Sequence, residues 1–198
     1  MNMNVSDWFG LLTTAFAIGA LVGSLFRNAS VKARLTIAAI VTLASTIPLP
    51  FDTRPSLAMV VYALTGLLSV TTLTILTCCL FQFSVPNRRK RIAAAAFVTG
   101  VFLYGGEIGA IPFDLFQYGY LPLYALAFAV VGIVLSDAIG AVTIFAGYVL
   151  YVFGIYDNYF TSMIDPILWV AATAFLLRSF LLHLNNKKAT PSSVPASR

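Results

Sequence analysis

Glu107 closes an apolar stretch that begins at Ile92, in the run IAAAAFVTGVFLYGGE. A carboxylate inside hydrocarbon is costly and marks, by default, a functional position. The preceding Gly105-Gly106 pair weakens a helix and lets backbone approach closely, as where broken helices line a solute path. Glu107 is therefore a candidate cation-binding or proton-carrying group. The plainer alternative is that it reaches the membrane surface, or pairs with Arg54, the one basic residue on its side of the chain's charge map. Asp52, Asp114, Asp157 and Asp165 fall in polar connections between apolar blocks. Together they could rim a cation-attracting vestibule, and Glu107, Asp52, Arg54 and Asp114 form the candidate solute or proton site. They could equally form a solvated face or a docking surface for a basic partner. Two converging carboxylates can also do acid and base chemistry, as in intramembrane proteolysis. The Tyr-Asp and Gly-x-Gly-Asp pair of signatures that such chemistry uses is incomplete here, with only Tyr156-Asp157 present.

A second group of residues is basic. Arg88, Arg89, Lys90 and Arg91 form a run beside a membrane-length block, and such a run attracts anionic lipid headgroups by about 1 kcal/mol per residue. Its other role is simply to orient the chain. Arg178 and His183 fall near the end of the last apolar block, where long polar side chains anchor to the headgroup layer.

Several chemistries are excluded by inventory. The two cysteines, Cys78 and Cys79, are adjacent and cannot build a disulfide framework, so free thiols are expected. One histidine is too few for a bis-histidine haem or a three-histidine zinc site, and no metal or cofactor is implied. All four lysines, Lys32, Lys90, Lys187 and Lys188, lie in polar segments, which leaves none for a buried Schiff base. Phosphate-binding loops, nucleophile elbows and His-Glu-x-x-His helices do not occur. The net charge of +5 suggests loops on the cytoplasmic side of a membrane rather than a nucleic-acid partner.

The elements that must position these residues are apolar helices. Of 198 residues, 60% are hydrophobic and 10% charged, with mean hydropathy +0.91, where a soluble domain carries about 25% charge. The apolar residues fall in blocks near 8–26, 35–51, 56–83, 92–104, 120–135, 139–155 and 160–184. An all-α, multi-pass integral membrane bundle is predicted, with seven transmembrane helices. The block at 120–135 is marginal, since about 20 residues are needed to cross a bilayer. The alternative is five crossings plus a re-entrant hairpin at about 118–155. Residues 1–184 form the membrane domain, and 185–198 a polar, disordered cytoplasmic tail. The basic residues divide 11 to 1 across this arrangement, which sets the N-terminus outside and the C-terminus inside, and leaves an acidic outer face. Trp8, Tyr118, Tyr120, Tyr156 and Tyr159 then form an outer aromatic belt. Gly19 and Gly23 in the first block, and Ala93, Ala96 and Gly100 in the fourth, offer small-residue faces for helices of this chain or of another subunit.

The leading functional expectation is a non-enzymatic accessory, structural or binding subunit of a membrane complex. The alternative is a small transporter or channel for a cation or protonatable solute that uses Glu107. The expected partners are the lipid bilayer and a second membrane protein or further copies of the chain. A bacterial cytoplasmic membrane fits the short loops.

Overall fold

The computed structural model describes residues 4–50, 55–83, 89–112 and 138–189. Regular structure among them is all helical, apart from one isolated bridge between Pro48 and Ser56. The helices are α1 (Val5–Leu25), α2 (Val31–Thr46), α3 (Leu57–Thr65), α4 (Val70–Leu80), α5 (Arg89–Glu107), α6 (Ala138–Val152), α7 (Tyr159–Met163) and α8 (Pro166–Ala189). Their starts are written in short polar side chains. Asn4 and Asp7 close a reciprocal capping box on α1, while Ser30, Ser56 and Ser69 cap α2, α3 and α4 by accepting from a backbone N–H three residues on. Glycine supplies several ends: Gly66, Gly109 and Gly154, just beyond α3, α5 and α6, have φ of 68°, 72° and 69°, a region where a side chain is strained.

Small residues set the packing. Gly19 and Gly23 of α1 lie directly against Thr42, Ala38 and the Arg34 carbonyl of α2, so the two helices pack antiparallel at close range. The small-residue face of the first helix is thus used within the chain. The same holds for α5, where Ala93 and Ala96 pack on Leu168 and Ala172 of α8, and Gly100 lies under the Trp169 ring. α4 joins the two pairs. Its Leu76 and Leu80 pack with Ala20 and Ala38, and its Ile75 packs against the α5–α8 cluster. Thr143 of α6 donates to Thr74 of α4 (3.2 Å), which places α6 on the same helix.

These contacts give the bundle two chemically different ends. One holds Asp7, Tyr62, Tyr104, Glu107 and the 153–165 connection, tied by the bond from Tyr62 to Asp7 and the ring contact of Phe9 with Tyr156. The other holds the 26–30 turn, Arg34, Cys79, Gln82 and the start of α5. Here Arg34, 1% exposed, donates from Nε to the Gly23 carbonyl (3.3 Å) and from Nη2 to the Cys79 carbonyl. Its cation thus sits at the C-terminal ends of α1 and α4, where the helix dipoles are negative. Gln82 adds a bond to the Arg27 carbonyl (2.9 Å).

Two expectations change. The block at 56–83, read as one crossing helix, is α3 and α4, separated by Gly66–Ser69. With 9 and 11 residues they reach about 14 and 17 Å, short of a bilayer core of about 30 Å. Two helices, Val5–Leu25 and the first 20 residues of α8, are long and apolar enough to cross a membrane, so a bundle of seven crossings is not established by the described residues. The 120–135 block lies outside the described residues. α8 itself ends at Ala189.

The close α1–α2 contact predicts that Gly19→Leu, which would collide with Thr42 and the Ala38 carbonyl, destabilises the purified protein by about 1–3 kcal/mol. Leu12→Ala, at an exposed position of the same helix, should change stability by less than about 0.5 kcal/mol. Thermal unfolding in one detergent, followed by circular dichroism, compares the two.

Candidate functional site

The densest polar chemistry lies where α3 breaks from α4 and meets the start of α8. Asp165 is the N-cap of α8, with Pro166 as the first helical residue, a position that needs no N–H. Its Oδ1 accepts from the Leu168 N–H at 2.6 Å, and its Oδ2 accepts from the Ser69 N–H at 2.7 Å. One carboxylate therefore serves the N-terminal ends of two helices far apart in sequence, and both helix dipoles favour its charge. Asp165 is 2% exposed, and Ser69 is fully buried beside it. The Ser69 hydroxyl accepts from the Thr72 N–H (3.2 Å) and donates to the Thr72 hydroxyl (3.1 Å).

Two tyrosines complete the cluster through backbone carbonyls. Tyr156 donates its hydroxyl to the Leu68 carbonyl, which the break leaves without a helical partner, and Tyr104 of α5 donates to the Ile164 carbonyl (3.2 Å). Burial, and then the negative charge of Asp165, pushes the Tyr156 hydroxyl well above its ordinary range, so it remains a donor at any physiological pH. Tyr159, also buried, meets Tyr148 and Tyr151 of α6 edge-on, with ring centroids 6.1 and 6.2 Å apart. Tyr156 and Tyr159 are thus internal packing residues, a correction to their reading as belt residues; Trp8 is exposed, as a belt residue would be.

The residues singled out from sequence are only partly assembled. Glu107 is the last residue of α5 and exposed, the geometry of a side chain that reaches outward from a helix end. Gly105 and Gly106 lie within the helix and do not break it, while the discontinuity falls at Gly66–Ser69. Asp52, Arg54, Asp114 and Arg88 lie outside the described residues, so their convergence with Glu107 is not seen. Arg89, Lys90 and Arg91 open α5 at the Arg34 end of the bundle. Arg178 and His183 are exposed on α8. Cys78 and Cys79 form no disulfide, and the first is buried and the second exposed. No cluster of histidine, cysteine and carboxylate that could hold a metal occurs among the described residues.

Asp165, placed by sequence in an acidic outer rim, is instead the buried centre of this cluster. A signal was present: an aspartate directly before a proline that opens a long apolar run is a helix start, and its carboxylate turns inward. Among the described residues, the fold and site are all helical, with two membrane-length apolar helices and a buried carboxylate at a helix discontinuity. No family model matches the chain, and neither a curated protein nor a solved structure is significantly similar to it.

Ser69→Ala, which removes both contacts of the hydroxyl with Thr72, and Tyr156→Phe, which removes the bond to the Leu68 carbonyl, should each cost about 1 kcal/mol. Because both groups hold the same four-residue segment, a double-mutant cycle on unfolding midpoints should show coupling of about 0.5 kcal/mol or more; strict additivity would mean the two bonds act separately.

Proposed function

We propose that the chain is an integral membrane protein, N-terminus outside and C-terminus inside, that acts without catalysis as an accessory or binding subunit of a membrane complex. The observation that carries the membrane placement is the inverted distribution of residue sizes and polarity. Glycine, alanine, serine and threonine share the interior of the bundle with Leu11, Leu80, Leu103 and Leu168, whereas Leu12, Leu21, Ile40, Leu43, Val142 and Phe145 point away from it. Hydrocarbon solvates such a surface and water does not. Among small residues, close packing and interhelical hydrogen bonds hold helices together without a hydrophobic drive.

α8 supports the subunit role. Only 11% of its apolar window is buried, because one face, Leu168 and Ala172, covers α5 while Val170, Leu177 and Phe180 face outward. The small-residue faces of α1 and α5 are already occupied within the chain, and among the outward apolar faces of the described residues we assign that of α8 to a neighbour. The bundle's two ends match the sequence's charge split, with Arg27 and Lys32 at the Arg34 end, and Asp7 and Glu107 at the other. That polarity supports the orientation, and short connections support a bacterial cytoplasmic membrane. Seven crossings follow if the 118–155 stretch crosses twice, and five if it is a re-entrant hairpin.

Transport is the second reading, favoured by one feature: the discontinuous α3–α4 segment ends on a buried carboxylate, an arrangement that membrane carriers use at binding sites. In that reading Glu107 attracts a cation or protonated solute to the acidic end.

The subunit reading predicts that the chain stays in membranes through alkaline carbonate extraction and elutes from mild detergent with a stoichiometric second membrane protein, which Phe180→Ala together with Leu177→Ala releases. A monodisperse single chain overturns it. The transport reading predicts that Glu107→Gln abolishes cation flux into proteoliposomes while helicity and insertion are unchanged; undiminished flux removes Glu107 from the mechanism.

A further inference from the structure

We propose that the α1–α2 turn and the elbow that ends α4 form a binding site for one anionic phospholipid, in the leaflet at the Arg34 end of the bundle. Arg27 and Lys32 take the headgroup phosphate, and the Phe81 and Phe83 rings lie against the glycerol and the upper acyl chains. The inference rests on the membrane placement proposed above, and on neither the subunit nor the transport reading.

The cations at this end have no anion to answer them. Arg27 in the turn and Lys32 in the first turn of α2 are both exposed, and neither makes an ion pair among the described residues. The carboxylates of the described residues, Asp7, Glu107, Asp157 and Asp165, all belong to the opposite end. The negative C-terminal poles of α1 and α4 do lie here, but Arg34 already meets them through the Gly23 and Cys79 carbonyls. Even so, its buried Nη1 has no hydrogen-bond partner among the described residues. Ser30 opens α2 at the same place, so the positive pole of that helix adds to the field. A cationic surface left unneutralised beside a low-dielectric interior attracts a phosphate.

The elbow beside these cations is held in an unusual shape. Gln82 has φ of 58° and is the one non-glycine residue with positive φ among the described residues, in a region where a side chain is strained. Its Nε2 donates to the Arg27 carbonyl at 2.9 Å, and the Phe83 N–H reaches back to the Cys78 carbonyl at 3.0 Å. Glycine would end α4 in this conformation without strain; glutamine also fastens the elbow to the turn that carries Arg27. Phe81 and Phe83 then stack, with centroids 5.7 Å apart and planes at 18°, while remaining 38% and 60% exposed. Two exposed rings beside two exposed cations match the boundary where a lipid phosphate meets its acyl chains. A free phosphate would engage the cations and leave the rings idle, so the rings select the lipid. Arg89, Lys90 and Arg91 open α5 at this end as well, and their contribution is separable by substitution.

Full-length protein in nanodiscs of phosphatidylcholine with a minor fraction of phosphatidylglycerol, released into mild detergent and weighed by native mass spectrometry, gives the lipids retained per chain. One phosphatidylglycerol should remain in preference to phosphatidylcholine. Arg27→Gln with Lys32→Gln should weaken its retention about tenfold or more. Phe83→Ala should weaken it severalfold, whereas Arg178→Gln, which removes an exposed charge elsewhere, should leave it unchanged. Added glycerol phosphate, which has no acyl chains, should fail to displace the lipid. Equal retention of the two lipids overturns the proposal. Undiminished retention in the double variant overturns it too, and loss on replacing Arg89, Lys90 and Arg91 by Gln would then place the lipid on α5. Ready displacement by glycerol phosphate overturns the lipid assignment in favour of a free phosphate. Should the double variant fail to fold, Phe83→Ala at its exposed position still decides, because wild-type retention there overturns the site. A chain that does not enter nanodiscs overturns the membrane placement and the site with it, whereas one that inserts without lipid preference overturns the site alone.

Discussion

The described bundle depends on how one buried charge is satisfied. A carboxylate removed from water needs compensation for its lost hydration, and Asp165 finds it in the N–H groups of two helix starts, Leu168 of α8 and Ser69 of α4. That arrangement makes the position of α8 and the position of α4 a single decision. Because α8 carries α5 along its Leu168–Ala172 face, and α4 carries Leu80 into the α1–α2 pair, the carboxylate links the two halves of the bundle at one end. At the opposite end Arg34 plays the complementary part, a buried cation between two helix C-termini. Each charge is matched to the helix pole of opposite sign, and the Arg34 Nη1 remains buried with no hydrogen-bond partner among the described residues.

Between these two poles the contacts are short and unspecific in chemistry. Gly19, Gly23 and Gly100 let backbone meet backbone or a ring, and Ala93, Ala96 and Ala172 continue the same smooth surface. Many large apolar side chains lie at the periphery, where Leu64 and Phe153 are exposed by 82% and 77%. In water this distribution would forfeit the burial that stabilises a soluble core; in hydrocarbon it loses nothing, and dispersion between closely packed helices becomes the favourable term. The small residues at the helix contacts and the polarised ends are both what the proposed hydrocarbon solvent would favour.

The break between α3 and α4 departs from simple bundle geometry. A continuous helix over 56–83 would have satisfied its own backbone, whereas the interruption leaves the Leu68 carbonyl and the Ser69 N–H to be met by Tyr156 and Asp165. Such an arrangement persists only where tertiary contacts over-determine it, and here a tyrosine, an aspartate and a left-handed glycine all agree.

Much of the local architecture was legible in the residues themselves. Apolar blocks marked most of the helices, Ser30 and the Asp-Pro step at 165 marked starts, and the separation of basic from acidic residues foreshadowed the two ends of the bundle, because helix formation, capping and charge placement are local properties of the chain. What the sequence alone could not decide was partnership. Gly19 and Gly23 advertise a close contact without saying with which helix; Gly105-Gly106 and Gly66 look equally able to interrupt a helix, and only Gly66 does so, because Asp165 and Tyr156 arrive from 96 and 88 residues away to satisfy the groups set free. For the same reason Glu107 stood out in the sequence and Asp165 did not: the cost of a carboxylate depends on what surrounds it, and those surroundings are assembled only when distant segments fold together.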